Sequence, residues 1–97
     1  MFVIELTYKV PLAQIDEYLE SHVHFLSAHY GLGTFIASGR KVPRDGGVIL
    51  ATANDRKEVE AIIKQDPFYL HQLADYKITE FVVSKKAQHF TDSFFLL

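Results

Sequence analysis

The sequence contains no cysteine, which removes disulfide bridges, thiolate nucleophiles and sulfur-ligated zinc or iron–sulfur clusters together. It also lacks a positive charge balance. Ten Lys and Arg against twelve Asp and Glu give a formal net charge of -2, and the pI is about 6.2. No global positive field exists to draw in phosphate backbones or anionic lipid, so neither nucleic acid nor a membrane surface is an expected partner. No uncharged apolar run approaches the roughly 18 residues of a membrane span. The first ten residues, MFVIELTYKV, lack the basic start, long apolar middle and small-residue cleavage site of a signal peptide. A cytoplasmic location is therefore expected. There is no internal repeat and no low-complexity segment.

What remains is an ordinary globular composition. The 97 residues are 48% hydrophobic and 23% charged, enough for one core and too few for a second domain. Residues 2 to 9 alternate, with Phe2, Ile4, Leu6 and Tyr8 on one parity, as in a half-buried strand. After Pro11 the apolar residues fall at 12, 15, 19, 23, 26 and 30, the spacing of one amphipathic helix, which Gly31 and Gly33 end. A strand over 34 to 38 comes next. The stretch GRKVPRDGG, 39 to 47, reads as a hairpin connection with a mobile or ligand-facing tip, and a third strand is expected over 48 to 53. Asn54 or Asp55 can cap a second helix over 55 to 65 that turns Val59, Ile62 and Ile63 inward. Asp66-Pro67 ends that helix and can start a short one over 67 to 73, and the last strand is expected over 76 to 85.

The order β-α-β-β-α-β predicts an α+β, ferredoxin-like domain over residues 1 to 86: a four-stranded antiparallel sheet with both helices on one face. The other face would be bare, and a second copy would cover it. Residues 87 to 97, AQHFTDSFFLL, form a tail expected to dock on the core or on a partner subunit because its last four residues are too apolar for water.

Three histidines fall within eight positions: His22, His24 and His29. On a helix His24 points about 160° away from His22, so the pair cannot clasp a metal. His29 returns to the face of His22 but lies about 10 Å along the axis, too far to share one ion. No metal and no cofactor is implied. The plain reading of His22 is a partly buried ring satisfied by a carboxylate or carbonyl, and the plain reading of Asp66 is a helix cap. Both helices pack on one side of the sheet, however, so His22 late on the first helix can approach the turn after the second. A carboxylate there would fix the imidazole tautomer, and such a pair beside a cleft is a general acid/base candidate.

The stretch HVHFLSAHYGLGTFIASG, from 22 to 39, together with QDPF at 65 to 68, resembles the YciI-like (YCII-related) family over residues 2 to about 85. The resemblance implies the dimeric α/β-barrel variant of the ferredoxin-like fold and a histidine–aspartate active site. His22 matches the family histidine and Asp66 the family aspartate, while Ser38 and Gly39 match the small-Gly pair lining the pocket. Two positions depart from the pattern. Leu19 stands where many members carry arginine, and Arg40 where they carry proline; Arg40 would then supply the positive charge for a substrate anion, with Lys41 or Arg44 beside it.

The reading favoured is a small, cofactor-free homodimeric enzyme that moves a proton on a small organic substrate, aromatic or anionic, in lyase, isomerase or dehydrochlorinase-type chemistry. The alternative is a non-catalytic dimer that binds a metabolite or another protein. An RNA-binding domain shares the strand order but needs stacking aromatics on its third strand, and VILATA has none. Sedimentation at micromolar concentration decides the dimer, which a stable monomer would contradict.

Overall fold

The computed structural model describes residues 1–87, so the expected docking of the tail concerns residues that lie almost wholly outside the described ones. The elements are β1 (Phe2–Tyr8), α1 (Leu12–Glu17), α2 (Leu19–Gly31), β2 (Phe35–Arg40), β3 (Gly46–Ala51), α3 (Arg56–Ile63), α4 (Pro67–Leu70) and β4 (Ala74–Glu80). The sheet is antiparallel in the order β2-β3-β1-β4, with Ile4 of central β1 opposite Ile49 of β3 and Ile78 of β4. This is the expected ferredoxin-like arrangement. The sheet is open at β2 and β4 and does not close into a barrel.

The alternation in β1 sorts as its sequence requires. Phe2, Ile4 and Leu6 are buried under the helices, joined by Ile49 and Ala51 from β3 and by Val59, Ile62, Ile63 and Phe68 from α3 and α4. The opposite face carries Val3, Val48 and Leu50 together with Glu5, Thr7 and Lys77. Asp55 caps α3 by accepting from the Glu58 N–H at 2.9 Å, and Asp66 caps α4, accepting from the Phe68 N–H at 3.0 Å with Pro67 in the first turn.

The first helix departs from expectation. It is broken at Tyr18 (φ -108°, ψ 6°), whose N–H turns back to the Ile15 carbonyl at 3.1 Å. The break rephases α2 relative to α1. Of the apolar stripe, Ile15 is buried, but Leu12, Leu19, Val23 and Tyr30 are exposed, and α2 instead buries His22, Phe25 and His29. Helix α2 ends in a Schellman motif: Gly33, at φ +79°, donates to Tyr30 O at 3.1 Å and Thr34 N–H to His29 O at 3.0 Å.

Strand limits shift for identifiable reasons. β3 begins at Gly46 because that residue lies against β1 so closely that a Cβ would collide with the Leu6 carbonyl. β4 stops at Glu80, although FVV comes next, because its ladder partner β1 has run out: Phe81 closes the pairing with Met1 through bonds of 2.9 and 3.0 Å. In β2 the register against β3 slips between Phe35 and Ala37, so one extra residue is accommodated. A bulge of this kind changes which side chains face which side. Phe35 pairs with helix-facing Ala51, but beyond the bulge it is Ser38 and Arg40, opposite Ile49 and Gly47, that turn toward the helices.

Candidate functional site

Asp66 is completely buried and has a full set of partners. Its Oδ1 accepts from His22 Nδ1–H at 2.8 Å and from the Phe68 N–H at 3.0 Å, and its Oδ2 accepts from the Tyr76 hydroxyl at 2.6 Å. Pro67, by setting the first turn of α4, aims the capping carboxylate back toward α2. Burial first, and then the Asp66 charge, push the Tyr76 hydroxyl far above the usual tyrosine range, so it remains a donor.

Three donors converging on one buried carboxylate define the state of His22. A carboxylate only accepts here, so Nδ1 carries the hydrogen and, in the neutral ring, Nε2 presents its lone pair. The imidazole lies flat on Phe68, with ring centroids 4.0 Å apart and planes inclined by 5°. Tyr8 meets the edge of the same phenyl ring at 5.9 Å. The ring is therefore held both in plane and in tautomer, and Nε2 makes no hydrogen bond among the described residues.

His22 opens into a cleft of about 430 Å³ between α2 and the β2–β3 side of the sheet. Leu19, Val23 and Leu26 form the α2 wall, and Leu6 and Ile49 lie on the sheet side. The residues displaced from the expected core stripe thus line a cavity. Arg40 is on the rim through the β2 bulge and has no ion pair among the described residues. Arg44 also lines the cleft, but its guanidinium is bound to Asp16 at 2.6 Å, tying the β2–β3 hairpin to α1. Burial raises the Tyr8 hydroxyl, with the Arg44 charge acting in the opposite sense, so a neutral phenol stands at the same wall.

Of the residues singled out from the sequence, His22, Asp66, Ser38, Gly39 and Arg40 are brought to one region, with Asp66 behind His22 and the other three along the cleft. Ser38 Oγ is engaged with the Tyr30 hydroxyl at 2.6 Å. Lys41 is not at the cleft: it reaches Glu5 at 3.6 Å and Thr7 at 3.1 Å, side chains of the opposite sheet face. The hairpin expected to be mobile or ligand-facing brings Arg40 and Arg44 to the cleft, and it is tied to the core by Arg44 and by the Tyr8 N–H bond to Asp45 O at 2.8 Å. His24 is exposed, and no group of three or more His, Asp or Glu among the described residues could hold a metal ion. Tyr76, Phe68 and Tyr8 were not legible as site residues. Phe68 adjoins the Asp-Pro cap and could have been suspected, whereas Tyr76 enters only because the register sets it opposite Leu6.

Three comparisons bear on this geometry. The model of the YCII-related domain matches residues 1–82. Among solved structures the chain is similar to the 5-chloro-2-hydroxyhydroquinone dehydrochlorinase of Burkholderia phenoliruptrix in complex with 2,5-dihydroxybenzoquinone. The TM-score is 0.73 at 16% identity, covering 91% of this chain and 96% of that one, a likeness of fold. No curated protein matches the sequence significantly.

Proposed function

The chain belongs to the YCII-related family, and from that premise we propose that it is a small enzyme whose His22 Nε2 acts as general base toward a small, acidic, oxygen-bearing organic ring. The observation that carries the proposal is the His22–Asp66 bond of 2.8 Å, which leaves a tautomer with Nε2 unprotonated at a cleft of about 430 Å³. Asp66 orients the imidazole and balances the charge it gains on taking a proton. Tyr76 and the Phe68 N–H position Asp66 without touching substrate.

The reaction class supported by the structural neighbour is elimination of hydrogen halide from a hydroxylated ring. The reacting form is the ring's keto tautomer, in which the halogen-bearing carbon is saturated and already carries a hydrogen. Nε2 takes a hydroxyl proton, the O–H pair becomes the second bond of a new C=O, the displaced ring π pair forms a double bond to the halogen-bearing carbon, and halide departs with its bonding pair. Redox state is unchanged and no cofactor is required. The apolar α2 wall suits the face of such a ring, and Arg40, which has no carboxylate partner among the described residues, suits an ionised oxygen on the rim.

Titration with 2,5-dihydroxybenzoquinone, a vinylogous acid that is anionic at neutral pH, tests the substrate class. Wild type should bind it with chemical-shift changes centred on His22, Val23 and Arg40, and Arg40→Gln should weaken binding about tenfold, in the range of one charge-assisted hydrogen bond at a partly exposed site. Absence of binding to wild type would remove the substrate class, and equal affinity of the variant would remove Arg40.

A further inference from the structure

Two imidazoles of α2 hold two consecutive residues of the turn between α3 and α4. His22 bonds Asp66, and His29, seven residues and about 10 Å further along the helix axis, places Nε2 3.0 Å from Gln65 Oε1. An amide oxygen accepts, so His29 Nε2 carries the hydrogen and Nδ1 the lone pair. That Nδ1 is buried and has no hydrogen-bond partner among the described residues, in a ring packed against Phe25 and Phe35 with centroids 5.0 Å away in each case. A buried unpaired nitrogen is a cost that an aliphatic side chain of similar size would not incur. Packing alone is a poor reason for histidine here; the bond to Gln65 is what a leucine could not make.

The segment it holds needs holding. α4 has only four residues, too few to be stable by its own ladder, yet its N-cap is the carboxylate that must meet His22. Contact between this segment and the α1–α2 arm is made by rings at one stripe of positions: Tyr18 stacked on His71 at 4.1 Å, His22 on Phe68, and His29 bonded to Gln65. Only the last grips the residue immediately before Asp66. We propose that His29 is a positioning residue: through Gln65 it sets the α3–α4 turn against α2 so that the Asp66 carboxylate stays in reach of His22. The inference rests on the reading of His22 and Asp66 as the reacting pair, but its test needs no substrate.

The test is hydrogen exchange and ¹⁵N NMR on the unliganded protein. The Phe68 amide and the His22 Nδ1–H both donate to Asp66 Oδ1 and so report the carboxylate's position. In Gln65→Leu both should exchange about tenfold faster, while the Ile4 amide in the central strand keeps its wild-type rate. His29→Leu should do the same, and Gln65→Glu, which retains an acceptor for His29 Nε2–H, should restore the wild-type rates. Gln65 is exposed, so its variants remain interpretable even where His29→Leu fails to fold. Unchanged Phe68 and His22 exchange in Gln65→Leu, or acceleration spread equally to Ile4, would overturn the proposal. Either result would leave the assignment of His22 as base standing, since that assignment is read by turnover.

Discussion

Asp66→Ala will cost the fold about 3–9 kcal/mol, because it leaves three donors, His22 Nδ1–H, the Phe68 N–H and the Tyr76 O–H, without their common acceptor, each at about 1–3 kcal/mol when buried. Against a total stability of about 5–15 kcal/mol for a domain of ordinary size, that is a large share, and a urea or thermal melt will read it directly. Asp66→Asn will cost far less. Its amide oxygen can occupy the Oδ1 position and still accept from His22 and Phe68, and its NH2 group can donate to a Tyr76 hydroxyl that rotates to receive it. The contrast between the two variants separates hydrogen-bond satisfaction from charge. A loss of under about 1 kcal/mol in the alanine variant would mean that water can reach the three donors, which disagrees with an Asp66 that is 0% exposed.

Under the proposed function His22→Gln carries the largest expected functional effect: where a chlorinated hydroxyhydroquinone serves as substrate, the rate of halide release should fall by about 10²–10⁴, the usual contribution of a positioned general base. Glutamine can keep a donor toward Asp66 and fill part of the space over Phe68, so the fold should survive while no basic nitrogen remains at the cleft. The change should appear in kcat with KM little affected, since the ring's role lies in the proton transfer and the cleft walls bind the substrate. Wild-type turnover retained by the variant would end the assignment of His22 as base.

Much of this arrangement was legible in the residues, and the part that escaped has a physical cause. The parity of β1 and the inward triad Val59, Ile62 and Ile63 followed from periodicity because each faces one environment only, the core. Helix α2 faces two. His22, His29 and Phe25 are buried, while Leu19 and Val23 line a cavity, and apolar spacing cannot distinguish a cavity wall from a core stripe. The break at Tyr18 adds a rotation that no propensity signals, there being neither glycine nor proline at that point.

Arg40 shows the same limit at a strand. The spacing of β2 assigns alternate residues to the helix face, but the slip between Phe35 and Ala37 reverses that parity and sends Ser38 and Arg40 toward the cleft. A bulge is set by the ladder partner, not by the bulged strand alone. The pairing of His22 with Asp66 was approachable because fold order and a local cap each pointed to it. The third partner, Tyr76, depends on register across β1 and β4, which the residues of β4 do not specify.

The most direct measurement is the ¹⁵N spectrum of the neutral form of the His22 imidazole in the unliganded protein. A ring protonated at Nδ1 with an unprotonated Nε2 is the predicted result, its Nδ1 proton exchanging slowly with solvent in wild type and faster once Asp66 is replaced by Asn. A proton found instead on Nε2, or a tautomer mixture identical in the two proteins, would contradict the account.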